Sequence, residues 1–451
     1  MNLSFLAFSA IFILFYWLKH NKSRIKITDM VIFLISLSLA IFISHIMFYS
    51  KYMDFFSNLF NNYFSSFIIF LILISIVSAR DLLNDRIKLG EYYFLVFIIT
   101  IGSVLLINTN NMLNMFISLE LISMSLYGII ALDKRIESIE ASIKYFILGT
   151  FASIFMIISL FLMYLFSQTL NLNEISLQFL NTPNSAIILS IILFLAGFIF
   201  KLALFPFSSW SVDIYTASPT NVVLFIVGAV KLSIIIATFR VFHSINNEIL
   251  TLSTYTFILF TLIIPNISAL FTRNIKKIIA YSSISHAGYI SISFLGSDGW
   301  QTYFYAIVYT ISTVGVFSII YLLEKNYSDI DYSNIKSLYY KKPLVALSLA
   351  IFMFSLAGVP PLSGFFAKFY VFYNALNAGY KWLVILAALT SAISLYYYIK
   401  ILIPVFFDSS DDGKEIKISK NNLLIIYFCA LTVLLLGLFS QKLINILKLI
   451  I

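Results

Sequence analysis

Apolar runs of about 17 to 25 residues recur from one end of this chain to the other. About 20 such residues cross a hydrocarbon core of roughly 30 Å. Hydrocarbon offers no partner to a backbone N–H or C=O, so only helices or closed barrels span it. The runs lack the alternation of barrel strands, which leaves an all-α polytopic membrane protein. Charged residues make up 11% of the chain, against about 25% in an average soluble domain, so the lipid bilayer is its medium.

Polar or Pro/Gly-marked breaks divide the sequence into about fourteen spans, with limits near 3 to 18, 28 to 48, 63 to 79, 91 to 108, 112 to 131, 142 to 167, 185 to 205, 219 to 242, 251 to 271, 278 to 296, 302 to 323, 343 to 373, 381 to 406 and 422 to 447. The run Leu3 to Leu18 has no basic residue before it and no small-residue cleavage site after it, and reads as a retained first helix. Of the 29 Lys and Arg, 19 fall in odd-numbered connections and three in even-numbered ones. That asymmetry supports the span count and puts odd loops on the cytoplasmic or matrix side. The formal charge of +9 is then a topology signal rather than a nucleic-acid-binding surface.

Two spans are broken. Phe200-Lys201-Leu202-Ala203-Leu204-Phe205-Pro206 ends the seventh in a polar stretch, and Gly358-Val359-Pro360-Pro361-Leu362-Ser363-Gly364 interrupts the twelfth. Proline removes a backbone donor, and a freed carbonyl at membrane depth is tolerated only where protein or a water-filled cavity satisfies it. The breaks lie five spans apart, each with a lysine beside it, which predicts two inverted five-helix repeats, spans 4–8 and 9–13. The expected organisation is three N-terminal helices over 1–90, repeats over 91–242 and 243–406, and a C-terminal helix over 407–451.

Each intramembrane charge needs a reason, because it costs several kcal/mol or more. The alternative to function is snorkelling, in which a long side chain reaches the interface. Lys231 is about twelve residues, or roughly 18 Å, from either end of its span, beyond that reach. Glu120 lies about eight residues, roughly 12 Å, inside span 5, and a carboxylate is too short to snorkel. Lys201 and Lys368 stand beside the breaks. Lys144 and Lys400 lie within reach of an interface, and His286 reads equally as a core histidine bonded to hydroxyls or as a relay.

Lysine suits proton transfer because desolvation brings its titration toward neutral pH, whereas arginine stays charged. A row of lysines, histidine and hydroxyls with interleaved water is a proton path. The competing reading, ion pairs that only fix packing, is weaker because such pairs are often replaceable by apolar residues. The one cysteine, Cys429, excludes disulfides and iron–sulfur ligation within the chain, and four isolated histidines argue against haem. Whatever redox chemistry is involved must sit on other subunits.

Leu119-Glu120-Leu121, Ile143-Lys144-Tyr145-Phe146, Phe200-Lys201-Leu202, Lys231, Tyr281-Ser282-Ser283-Ile284-Ser285-His286 and Leu356-Ala357-Gly358-Val359-Pro360-Pro361 with Lys368 resemble the antiporter-like subunits of respiratory complex I over about residues 90 to 410. Short length, the context Ser118-Leu119-Glu120-Leu121-Ile122-Ser123 and a lysine at 368, where a related branch carries glutamate, are most similar to its shorter branch. The resemblance implies that Glu120 pairs with Lys201 in a first half-channel, that Lys231 is a central relay, and that His286 and Lys368 lead to the exit. It also implies a proton-translocating subunit of an NADH:quinone oxidoreductase, without a cofactor of its own. FMN, iron–sulfur clusters, NADH and quinone would be held by partner subunits, beside other antiporter-like and small membrane subunits. The membrane would be a bacterial plasma membrane or a mitochondrial inner membrane. In the family's Pro-Phe-His-x-Trp pattern, Ser208 stands in place of histidine after Pro206-Phe207. A hydroxyl holds water but does not buffer a proton near neutral pH, so relay at Ser208 departs from the family's chemistry. A subunit of a multisubunit Mrp-type cation/proton antiporter shares the lysine pattern and is the alternative.

Overall fold

The computed structural model describes residues 59–79, 89–181, 185–245, 248–296, 298–324, 330–332, 335–336, 338–408 and 420–450. The spans expected at 3 to 18 and 28 to 48 lie outside the described residues. From the third span to the fourteenth, every apolar run forms its helix. These are α1 (Leu59–Ala79), α2 (Leu89–Asn108), α3 (Met112–Ala131), α4 (Ile136–Ser167), α6 (Ser185–Lys201), α8 (Thr220–Ser244), α9 (Glu248–Leu270), α10 (Ile275–Ile292), α11 (Trp300–Glu324), α13 (Pro343–Ala357), α15 (Lys381–Phe407) and α16 (Lys420–Leu438). Shorter helices complete the bundle: α5 (Leu172–Asn181), α7 (Ser209–Ala217), α12 (Leu338–Lys341), α14 (Ser363–Asn377) and α17 (Ser440–Ile450). Among the described residues, nine helices are long and apolar enough to cross a membrane.

Burial sorts the helices into an inner and an outer set. The apolar window of α8 is 100% buried and those of α10 and α11 are 94% buried, whereas α4, α9, α15 and α16 are each 39% buried. The inner three place their polar side chains where only protein can satisfy them. The outer ones present Ile143, Phe151, Phe161, Trp382 and Leu389 outward, as a lipid-facing or partner-facing perimeter requires.

Helix limits depart from the apolar runs where capping decides them. The sixth span was expected to start at 142, but α4 begins at Ile136 after Arg135 in extended conformation. Its first turns are charged and precede the apolar stretch, because the backbone ladder needs no apolar side chains to form. Asn111 caps α3 by accepting from the N–H groups of Leu113 and Asn114, and Asn274 caps α10 by accepting from Lys277 N–H. Each cap also pairs with a distant loop. Asn111 bridges Asn171, and Asn274 bridges Asp331, with Met112 N–H donating to Leu170 O and Ile275 N–H to Ile330 O, both at 2.9 Å. The same tie thus occurs twice, before span 5 and before span 10.

Both predicted breaks are present. α6 stops at Lys201, and Ala203 takes a positive φ of 58°. α13 stops at Ala357, and Gly358 follows in the left-handed region at φ 89°, which glycine adopts without a Cβ penalty. Phe205–Pro206 and Pro360–Pro361 are cis. The freed carbonyls are taken up by protein: Phe200 O accepts from Ala203 N–H at 2.9 Å and from Trp210 Nε1 at 3.0 Å, and Ala357 O accepts from Lys368 Nζ at 2.9 Å.

Candidate functional site

Lys231 sits halfway along α8, directly after a π-helical turn, Ile226–Val230. Such turns are rare and frequently mark functional sites, because they locally widen the helix and re-aim the next side chain. Lys231 is 5% exposed. Its ammonium donates to Ser283 O at 2.7 Å, Ser283 Oγ at 2.6 Å and Tyr309 Oη at 3.4 Å. Among the described residues no carboxylate lies within ion-pair distance of it. The charge therefore rests on oxygen dipoles alone, in a position where it costs several kcal/mol.

Ser283 and His286 lie three residues apart on α10, on one face. Ser283 Oγ also accepts from Tyr309 Oη at 2.9 Å and pairs with Tyr215 Oη at 3.4 Å. His286 is buried between two phenols, Nδ1 with Tyr305 Oη at 3.0 Å and Nε2 with Tyr398 Oη at 3.3 Å, and Tyr398 Oη pairs in turn with Ser282 Oγ. Its ring lies 5.3 Å from that of Tyr309. Each hydroxyl is both donor and acceptor, and the group around Lys231 and the group around His286 meet where the His286 and Tyr309 rings face each other.

The second break supplies the next station. Lys368, on α14, reaches back to the end of α13, donating to Ala357 O and to Ser391 Oγ, the latter at 2.7 Å. It lies 4.8 Å from the ring centre of Tyr289, and Tyr289 also neighbours His286, with ring centres 5.7 Å apart. A cation at a helix C-terminus is favoured by the helix dipole, so the break builds a place for an ammonium.

At the first break Lys201 is buried and donates to Ser123 Oγ at 2.5 Å. Ser123 lies one turn further along α3 than Glu120, and among the described residues no ion-pair contact joins Lys201 to Glu120. Glu120 accepts instead from Ser153 Oγ at 2.5 Å, and it is half-buried at the outer side of α3. Lys201 also faces the ring of Tyr145 at 5.9 Å. Tyr145 stacks on Trp210 at 4.5 Å, and the helix bearing Trp210 carries Tyr215 to the Lys231 cage.

The remaining candidates lie apart from this set. Lys144 is 52% exposed and pairs with Glu140 at 2.8 Å one turn away, on the perimeter. Lys400 is half-buried, 5.6 Å from the ring of Tyr332. Ser208 precedes α7, where its carbonyl accepts from Ser211 Oγ at 2.9 Å. Pro206, Pro360 and Pro361 are exposed and shape the backbone rather than the path. Sequence reasoning did not single out Ser123, Ser153, Ser391, Tyr305, Tyr309 or Tyr398, because hydroxyls are scattered through every span. A buried ion pair, Lys276 with Glu324, was likewise not singled out. Among the described residues, no three His, Cys, Asp or Glu side chains converge as metal ligands.

A bundle of membrane-spanning helices, two of them broken, with three buried lysines and a histidine each hydrogen-bonded to hydroxyls, has the make-up of a membrane-embedded ion or proton translocator. The sequence profile of the NADH:quinone oxidoreductase/Mrp antiporter transmembrane family matches residues 109–394, and the chain belongs to that family. It is 33% identical over 379 residues to NADH-quinone oxidoreductase subunit N of Nitrosomonas europaea, covering 82% of this chain and 78% of that one. It is 35% identical over 355 residues to NADH-quinone oxidoreductase subunit N 1 of Chloroherpeton thalassium, covering 76% and 74%. A chain of respiratory complex I from Thermus thermophilus superposes with a TM-score of 0.82 at 26% identity, over 97% of this chain and 98% of that one. A chain of the Mrp complex from Dietzia shares the fold, with a TM-score of 0.78 at 20% identity over 98% and 91%.

Proposed function

We propose that this chain is the N-type membrane subunit of a proton-translocating NADH:quinone oxidoreductase. Its relatives at 33 to 35% identity carry the subunit N name, which favours this reading over an Mrp-type antiporter subunit. Flavin, iron–sulfur clusters, NADH and quinone belong to partner subunits of the same complex. The membrane is an energy-transducing one, bacterial plasma or mitochondrial inner, with odd loops facing cytoplasm or matrix. The paired loop bridges and the two breaks support two inverted five-helix repeats, spans 4–8 and 9–13, between 91–242 and 243–406.

Protons pass by Glu120 and Lys201 to Lys231, and by His286 to Lys368. The single observation that carries this reading is the Lys231 cage. An isolated ammonium at mid-span held by one carbonyl and two hydroxyls is stable enough to form and poor enough in counter-charge to be given up, and lysine exists in both charge states where arginine does not. In the assembled complex, Lys231→Ala is expected to abolish this subunit's share of protons moved per NADH oxidised. An unchanged ratio, measured by proton uptake and NADH oxidation together, would overturn the reading.

A further inference from the structure

Lys276 is the second residue of α10, Glu324 the last of α11 and Thr220 the first of α8, so one end of the bundle gathers all three. The Lys276 and Glu324 side chains are only 7% and 19% exposed and form an ion pair. Lys276 Nζ also donates to Ser218 O, and Glu324 Oε2 accepts from Thr220 N–H, both at 3.3 Å. Desolvating two charges is expensive, and apolar residues of similar volume commonly pack as well or better. The pair thus calls for a role besides packing. Beside it, Ser218 Oγ and Thr220 Oγ1 are wholly buried and have no hydrogen-bond partner within the protein, an arrangement that native interiors avoid unless water or a function uses the group.

The pair points along the helices to the Lys231 cage. Lys276 and Ser283 are seven residues apart on α10, two turns and about 10 Å along one face. Glu324 stands in the same relation to Phe317 on α11, and Phe317 packs edge-on against Tyr215 at 5.8 Å, whose hydroxyl touches Ser283. Both helices therefore lead from the pair to the oxygens that hold Lys231.

We propose that Glu324 is the proton-loading carboxylate for Lys231 on the odd-loop side of the membrane, with Lys276 as its positioning residue. The proposal rests on the relay through Lys231. Glu324 accepts a proton from water at that face, forming one O–H bond as a hydronium O–H breaks. It passes the proton through an interposed water, which takes the Glu324 proton and gives up its own to a hydroxyl of Ser218 or Thr220. That hydroxyl releases its proton to the next water in turn, and the sequence ends with an N–H bond formed on neutral Lys231. No electron moves.

The test uses the assembled complex in proteoliposomes, with protons moved per NADH oxidised as the readout. Glu324→Gln keeps the side chain's size and one of its two acceptor oxygens but carries no proton, and is expected to lower the ratio to the Lys231→Ala level. Lys276→Met is expected to do the same, with Glu324→Asp and Lys276→Arg close to native. A native ratio in the apolar double variant Lys276→Met/Glu324→Leu would overturn the proposal in favour of packing. If Lys231→Ala fails while the pair variants pump normally, only the loading site is overturned. If Lys231→Ala itself pumps normally, the relay falls. Should the pair variants not assemble, a carbodiimide that modifies only protonated carboxyls decides on the native complex. Label on Glu324 during turnover supports loading, and its absence overturns it.

Discussion

Ser283 concentrates more of the site than any side chain singled out by charge alone. Its hydroxyl meets Lys231, Tyr309 and Tyr215, and its carbonyl meets Lys231 again. Ser283→Ala leaves the carbonyl and removes the junction. A hydrogen bond to a charged group contributes about 1.5–3 kcal/mol, so pumping at matched subunit content is expected to slow by about ten- to a hundredfold, taking about 1.4 kcal/mol per decade. Lys144→Gln is the counter-case. Its pair with Glu140 lies in the open on the perimeter, where screening and side-chain freedom leave an ion pair little weight, and the same assay is expected to show no change. The sequence separated Lys231 from the rest by depth, since twelve residues of helix on each side place it far from any interface whichever way it faces. Depth did not separate Lys144 from Lys201. Lipid is as apolar as a membrane protein's interior, so Ile143 and Phe146, which face outward, and Phe198 and Ile199, which are buried, are the same kind of neighbour in the sequence.

At the scale of elements, the helices were legible because length and apolarity alone define a span. The two breaks were legible because proline and glycine write backbone geometry directly. The π-turn was not: Ile226-Val227-Gly228-Ala229-Val230 is apolar throughout, with no proline or polar residue to mark it. The buried pair at the ends of α10 and α11 was hidden for another reason. Lys276 and Lys277 are adjacent in a basic loop, yet the first is buried and the second exposed, a difference set by which side of α10 packs inward. The second break also makes a quantitative demand. A Cβ on Gly364 would stand 1.7 Å from Ser355 O, a backbone atom with no freedom to withdraw. Gly364→Ala must push α14 off α13, and overpacking of this kind costs about 1–3 kcal/mol. Because α14 carries Lys368 to Ala357 O, the variant is expected to reduce the amount of assembled subunit and to lower pumping in what remains. Normal assembly together with native pumping would show that the two half-helices are not held in this register.

The whole molecule has an orientation that its charges imply and that chemistry can read. The Asn111–Asn171 and Asn274–Asp331 bridges stand five spans apart, an odd number, so the proposed inverted repeats would put these identical ties on opposite faces of the membrane. Inverted repeats require that relation, and basic residues break its symmetry, being crowded into the odd loops. The only native cysteine, Cys429, is buried at 2% exposure, so a single Cys429→Ala change gives a background on which one introduced thiol reports its side. Lys134, Lys277, Asn173 and Lys381 are all exposed, the first two in odd connections and the last two at even ones. Replaced one at a time by cysteine in sealed vesicles of known orientation, Lys134 and Lys277 are expected to react with a membrane-impermeant maleimide from the cytoplasmic or matrix face alone. Asn173 and Lys381 are expected to react from the opposite face alone. The pairing of Lys277 with Lys381 carries the inference furthest, because the Lys276–Glu324 pair lies beside the first and the chain crosses the membrane three times before the second. Labelling of both from one side would remove the inverted arrangement, and with it the assignment of Glu324 to the face from which protons are drawn.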